Sequence, residues 1–531
     1  MPDGLADRRG ARAQAGRPVE PGRVRFEHAE HAHRGRRSPI AGRRGMTIGR
    51  VFFSSIVWSS AADIGQRAFS FLILLILVRL LTPQEFGTAA TALMIIQLLQ
   101  PVSRFGLYDY LIFREEADEA VKGAAWLTSV VFGLSASVLL FALAGPIAQA
   151  FSDAQLAPVL RALSPVFLLR SVSCVHEAML AKQFGFKSLA VRTVSAVFVA
   201  GVIAIGLAYS GWGVYSLVIQ QLVSASVSSV VLWLSYRWWP RFAGARANLR
   251  TVVAGGCKYT IAQLFSSLNN TVYGLAIGFF VSTEAAGVFR LAWTGLDLCI
   301  QLTIRPFAQV AQPLFAQMQA DRKRLGEAFI KVCQHCAVVT FLVFGWMAVM
   351  GPEVGTFAYG ARWAGAGEVL SIICFVVFPA TPNYLIAVLL NAVGRPDRVL
   401  TLSAVQSALS VLFAIVAVHW GMTGIAVAFV LRALITTPLG FVFLKHSADV
   451  GVLDIGRALA APVIAATLTM LAIVAAKHFA PPFHAVLLTL IVSGIAAVAI
   501  YGTTLFQLQR ELLMNLWSLF SHKLGQASVP K

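Results

Sequence analysis

Apolar stretches of roughly 20 residues, long enough to cross a bilayer, recur along nearly the whole chain between residues 51 and 506. A run of that length in lipid satisfies its own backbone amides as a helix, so the expected fold class is an all-α polytopic membrane protein. Fourteen spans are predicted: 51–81, 86–112, 123–145, 158–181, 189–210, 212–236, 259–281, 285–316, 328–350, 367–392, 399–418, 421–445, 458–478 and 483–506. With 57% hydrophobic and 13% charged residues and a mean hydropathy of +0.73, no separate soluble domain remains once these are set aside.

The net charge of +19 would suit nucleic acid, but its distribution points elsewhere, and no nucleic-acid partner is expected. Residues 1–45 hold 11 Arg, no Lys and 5 acids without apolar periodicity, which predicts a disordered basic tail; Met46, just before the first span, is read as an alternative start. Of the 43 Lys and Arg, 33 fall on one predicted side of the membrane and 3 (Arg79, Arg362, Lys477) on the other. Both termini are therefore expected in the cytosol, the chain being a multi-pass protein of a bacterial inner membrane.

Short segments recur at fixed offsets. "GWGVYSLVI" at 211–219 faces "HWGMTGIAV" at 419–427, and "TPQEFG" at 82–87 faces "STEAAG" at 282–287. Two parallel repeats of six spans are implied, residues 46–250 and 251–446, followed by two extra spans in 457–506 and a cytosolic tail, 507–531.

The eighth span, "FRLAWTGLDLCIQLTIRPF" at 289–307, is apolar yet carries three charges. On a helix, Arg290, Thr294, Asp297, Gln301 and Arg305 share an arc of roughly 80°, which makes one polar stripe. Span one repeats the pattern with Asp63, Gln66, Arg67 and Ser70, span two with Gln97, Gln100 and Arg104, and span seven with Gln263, Ser267 and Asn270. A charge at mid-bilayer costs about 2.5–3.5 kcal/mol on an insertion scale, so these groups are expected to face a cavity or one another. The deeper arginines Arg67, Arg104, Arg170, Arg305 and Arg432 outnumber the deep acids Asp63, Glu177 and Asp297, and Arg290 lies nearer the outer end. The expectation is a cationic lumen for an anionic cargo, since the guanidinium fork fits phosphate. The competing reading is ion pairing among the helices' own charges, as of Asp63 with Arg67 one turn away on span one or of Glu177 with a neighbouring Arg.

Other motifs carry less. The six cysteines lie in apolar segments, and Cys333-Gln-His-Cys336 is read as helix interior; Asn269-Asn270-Thr271 falls inside a span. No Ser/His/Asp grouping, metal spacing or glycine-rich phosphate loop is present in the sequence, so neither an enzyme nor a cofactor is expected.

The chain resembles the polysaccharide transporter, or oligosaccharide flippase, branch of the multidrug/oligosaccharidyl-lipid/polysaccharide (MOP) exporter superfamily. The resemblance rests on "RLLTPQEFG" at 79–87, "SRFGLYDYLI" at 103–112, "STEAAGVFRLA" at 282–292 and "RPFAQVAQPLFAQMQAD" at 305–321, in order across residues 46–506. It implies a fold of the multidrug-exporter type and transport of a polyprenyl-pyrophosphate-linked oligosaccharide, a unit of lipopolysaccharide, capsule or exopolysaccharide, by alternating access of two lobes. It also implies that Arg67, Arg104, Arg290 and Arg305 take the pyrophosphate, that spans thirteen and fourteen lie beside the lipid tail, and that a polysaccharide polymerase or other assembly protein is a candidate partner. Relatives commonly carry an acid at the position of Arg104, which leaves coupling-ion assignments open. The alternatives are a cation-coupled multidrug exporter of the same superfamily, which needs acids in its lumen, and a membrane polysaccharide polymerase or ligase, which needs more room than the outward loop 351–366 provides.

Overall fold

The computed structural model describes residues 65–114, 117–183, 185–479 and 486–510, and every element among them is helical. The first predicted span is described from residue 65 as α1 (65–80). The second is broken into α2 (Pro83–Arg104) and α3 (Leu107–Phe113), the third is α4 (Glu119–Ala150), and the fourth comes in three pieces, α5 (Leu156–Leu163), α6 (Pro165–Val172) and α7 (Cys174–Lys182). Then follow α8 (Phe186–Tyr209), α9 (Val214–Ser235), α10 (Ala245–Phe280), α11 (Thr283–Gln317) and α12 (Arg322–Tyr359). The bent pair α13 (Ala364–Cys374) and α14 (Val377–Ala392) leads to α15 (Pro396–Ala417), α16 (Gly421–Ala448), α17 (Val452–Phe479) and α18 (Val486–Leu508).

On length and hydropathy, eight helical runs of the described residues could cross a membrane, or up to ten if each of two bent pairs is one crossing. The expected fourteen is not reached by that measure, for identifiable reasons. Helices α10 and α11 fall outside it because their polar residues, Gln263, Ser267 and Asn270 on one and Arg290, Asp297 and Arg305 on the other, dilute the hydropathy. Helices α15 and α16 are counted as one run, although Gly421, at φ +66°, turns the chain between them and they pack side by side.

Without water to drive burial, helices in lipid associate through close van der Waals packing, which favours small residues. The run Gly87, Thr88, Ala89, Ala90, Thr91 and Ala92 makes α2 buried on several faces at once, where it packs against α4, α10 and α11. One buried cluster forms around α1, α2, α4, α5, α6 and α9, with Leu77, Phe86, Leu160 and Phe167 at its centre. A larger one is built from α11 to α17 around Phe315, Phe329, Phe341, Ile386 and Phe429, and takes in Cys333 and Cys336 as ordinary core residues. A smaller cluster, with Leu107, Val175 and Trp238, lies where α3 meets α7.

The paired segments do matching local work. Thr82 caps α2 in a reciprocal box with Glu85, and Ser282 caps α11 by accepting from the Ala285 amide at 3.0 Å. Five residues beyond each cap stand Gly87 and Gly287, which touch: a Cβ on Gly287 would lie 2.8 Å from the Gly87 Cα. Asp153, in the turn between α4 and α5, bridges the same crossing by accepting from Thr88 Oγ1 at 2.6 Å and Thr283 Oγ1 at 2.9 Å. Trp363 adds a hydrogen bond to the Val78 carbonyl at 3.1 Å and an edge contact to Phe86. This end of α1, α2 and α11 is therefore packed tightly. At the turns that open α9 and α16, exposed Trp212 and Trp420 each precede a glycine of positive φ, Gly213 at +52° and Gly421 at +66°.

Candidate functional site

The α11 stripe lines a cavity of about 600 Å³, faced by Gln66, Arg67 and Ser70 of α1 and by Gln220 and Gln221 of α9. Arg290, Thr294, Asp297, Gln301 and Arg305 all reach it, as the helical spacing predicts, so Arg290 faces the interior rather than lipid. The rest of the wall is apolar, with Leu74, Leu77, Phe86, Leu93 and Leu217. Gln301 donates to Asp297 from the next turn, so the one described acid of the cavity is engaged along its own helix. Among the described residues no carboxylate stands within ion-pair distance of Arg290 or Arg305, and the buried Nε of Arg305 has no hydrogen-bond partner. Among the described residues, three arginines against one aspartate give this cavity a positive balance beside apolar walls, where screening by water is weakest. Asp63, expected to pair with Arg67, lies outside the described residues.

The second group of charges is arranged differently. At the end of α2, Phe105 and Gly106 both take left-handed conformations, φ +48° and +57°, and the chain breaks away into α3. A side chain at Gly106 would strike the carbonyl of Gly256, where α10 passes closely. A second break, at Ser173 between α6 and α7, turns the fourth predicted span by 41°. Breaks in membrane helices persist where protein or a cavity satisfies the freed backbone, and both lie beside the same carboxylate. Glu177 on α7 is held between Arg104 Nη2 at 3.2 Å and Arg192 Nη1 at 2.6 Å. Arg170 on α6 donates from Nη1 to Gln100 Oε1 at 2.7 Å. Arg104, Arg170, Glu177 and Arg192 line a smaller cavity of about 190 Å³, which shares Gln66 with the larger one.

The structure brings Arg67, Arg290, Arg305 and Asp297 to one cavity, while Arg104 and Glu177 meet as an interhelical ion pair, the competing expectation. Arg432 is a correction. It is buried on α16, its guanidinium 5.4 Å over the Phe429 ring, and it lines none of the cavities that hold the other arginines, because its side chain points into the larger core and not towards α1. Arg192 and the pair Gln220 and Gln221 were missed. Arg192 sits three residues inside its predicted span, 189–210, and a sequence separation of 15 from Glu177, across the break between α7 and α8, carries no helical signal.

The fold defined by these helices is that of the MOP exporters. The Lipid II flippase MurJ, in an inward closed conformation, superposes with a TM-score of 0.72 at 12% identity over 86% of this chain and 100% of that one. A multidrug resistance MATE family transporter of the MOP superfamily, in an inward-facing conformation, gives 0.53 at 15% identity over 76% and 96%. Residues 76–368, more than half of the chain, match the family described as "Polysaccharide biosynthesis protein", and the chain belongs to that family. The succinoglycan biosynthesis transport protein ExoT of Rhizobium meliloti is 27% identical over 64% of this chain and 69% of its own length. The lipopolysaccharide biosynthesis protein WzxC of Escherichia coli is 22% identical over 75% and 82%.

Proposed function

We propose that this protein is a flippase that carries a polyprenyl-pyrophosphate-linked oligosaccharide from the cytosolic to the outer leaflet of a bacterial inner membrane. The observation that carries this reading is the cavity of α1, α9 and α11, where Arg67, Arg290 and Arg305 meet with a single described acid and, among the described residues, no ion pair at Arg290 or Arg305. A pyrophosphate carries charge that apolar surroundings penalise by many kcal/mol unless cations accompany it, and guanidinium remains charged when dehydrated. The excess of Arg over acid disfavours a cationic drug as cargo. The family membership and the likeness to ExoT, a succinoglycan biosynthesis transport protein, support the reading.

On this account α1, α10 and α11 also cross the membrane, which with the broken spans counted singly makes fourteen crossings in two six-span lobes and a final pair, α17 and α18. The basic loop end faces the cytosol. The tight packing at Gly87, Gly287 and Asp153 then closes the outer side, and alternating access requires that contact to open. The polyprenyl tail stays in lipid beside α17 and α18, whose exposed Leu468, Leu471, Leu488, Ile491 and Ile495 form an apolar surface. An apolar cleft of about 530 Å³ between α14, α16 and α17, with Phe378, Phe441 and Leu459, suits part of that tail. No bond is made or broken; the arginines lower the energy of the headgroup inside the bilayer.

The test is a reconstituted flipping assay with a fluorescent undecaprenyl-pyrophosphate oligosaccharide. Wild type is expected to flip it, and Arg305→Ala or Arg67→Ala to lose at least tenfold in rate with normal membrane insertion. Unimpaired flipping by both variants would make those arginines structural and overturn the reading.

A further inference from the structure

A third cavity, of about 310 Å³, lies where α2 ends and α3 begins, against α10. Its polar lining is unlike that of the α11 cavity. Gln97, Gln100, Tyr108, Gln263, Ser266 and Ser267 are all neutral, and the one cation among its described residues, Arg104, is already held on Glu177. Such a lining offers little to a phosphate.

Two of its carboxamides are fixed in orientation by charged neighbours. A guanidinium has only donors, so the bond from Arg170 Nη1 at 2.7 Å requires that Gln100 present Oε1 to it, which leaves the Gln100 NH2 group as a donor. A carboxylate accepts, so Asp109, bonded by Gln263 Nε2, leaves the Gln263 Oε1 as an acceptor. Amides are ordinarily free to flip; here one end of each is pinned from outside the cavity lining, by Arg170 on α6 and Asp109 on α3. The result is a defined donor on α2 and a defined acceptor on α10 in one cavity, whose lining also holds the hydroxyls of Ser266 and Ser267 and the Tyr108 ring. Pre-oriented side chains lose little entropy on binding, and unmet buried amides penalise a ligand that lacks matching groups. Hydroxyls that both donate and accept, spaced around a ring with an apolar C–H face, are the chemistry that fits.

We propose that this cavity is the sugar-reading subsite, which takes one of the neutral rings of the oligosaccharide, with Gln100 and Gln263 as the specificity-determining residues. This rests on the flippase reading. The subsite is joined to the pyrophosphate cavity through shared side chains: Arg104 lines both it and the small Glu177 cavity, and Gln66 lines both that one and the α11 cavity. Its volume lies at the lower end of the range for small-molecule sites, about 300–1,000 Å³.

The experiment compares two probes in proteoliposomes of the full chain: undecaprenyl pyrophosphate carrying one hexose, and the same carrier with a neutral tetrasaccharide. Gln100→Leu and Gln263→Leu are expected to slow the tetrasaccharide carrier about tenfold and the single-hexose carrier at most twofold. Asp109→Asn, which frees Gln263 to flip without removing it, is expected to narrow the wild type's discrimination between tetrasaccharides of different hydroxyl configuration while the protein stays folded by size-exclusion profile. Equal losses on both carriers, or none on either in all three variants, would overturn the subsite. Arg305→Ala separates the two claims. Loss of both carriers in that variant with cargo-selective loss in the glutamine variants supports both, whereas cargo-selective loss with Arg305→Ala unimpaired would overturn the pyrophosphate assignment and keep the subsite.

Discussion

The two groups of intramembrane arginine use one residue type in opposite ways. Around α11, Arg290 and Arg305 stand without a described carboxylate partner and their charge faces a cavity. Around α7, Arg104 and Arg192 close on Glu177 from α2 and α8, and their charge is spent within the protein. The difference teaches that an arginine in a membrane helix says little alone, and that the nearest acid on a neighbouring helix decides between cargo and architecture.

Breaking the α7 group should have the largest effect on folding. Glu177→Ala removes the carboxylate shared by the partly buried guanidinium groups of Arg104 and Arg192, and loss of one partner costs up to about 3–5 kcal/mol when the pair is fully buried. The expected outcome is a large drop in melting temperature of the detergent-purified protein, with Glu177→Gln milder because its amide oxygen still accepts one bond. The complementary result is expected at α11, where Arg305→Ala removes transport at least tenfold but leaves the melting temperature nearly unchanged. If both variants lost stability alike, the contrast between the groups would disappear.

An intermediate effect is expected where α2 and α11 cross beside the turn that holds Asp153. Asp153→Ala deletes bonds from Thr88 and Thr283, and two hydroxyl donors lose about 1–3 kcal/mol between them. On the proposed mechanism this loss falls on the outward-closed state, so a maleimide applied from outside should label a cysteine at Ser70 faster in the Asp153→Ala background. The smallest effect is expected at Arg432. Replacement of a buried, acid-free cation by an apolar residue of similar reach is commonly neutral or stabilising, so Arg432→Met should keep its melting temperature and flip cargo within about twofold of wild type.

What could be read from the sequence follows from what periodicity can report. It reports which residues share a face of one helix, and so Arg290, Asp297, Gln301 and Arg305 were legible as a stripe, whereas the caps at Thr82 and Ser282 start their helices a few residues before the predicted spans. It does not report which face meets which neighbour. Arg432 and Arg305 both stand within predicted spans, yet one is buried against Phe429 and the other reaches a cavity. The Arg192 to Glu177 pair and the pinning of Gln100 by Arg170 are likewise contacts between helices, without a spacing to reveal them. The break at Phe105 was hidden for another reason: Phe is not a residue from which a positive φ is expected, and only the following Gly106 hinted at a turn.

The most direct test of the central claim is the affinity of the purified protein for undecaprenyl pyrophosphate itself, measured by native mass spectrometry with inorganic pyrophosphate as competitor. The account predicts that Arg290→Ala together with Arg305→Ala weakens binding at least tenfold, about 1.4 kcal/mol, while Arg432→Met leaves it unchanged. Binding that survives the double substitution intact would contradict the assignment of the α11 cavity as the anion site.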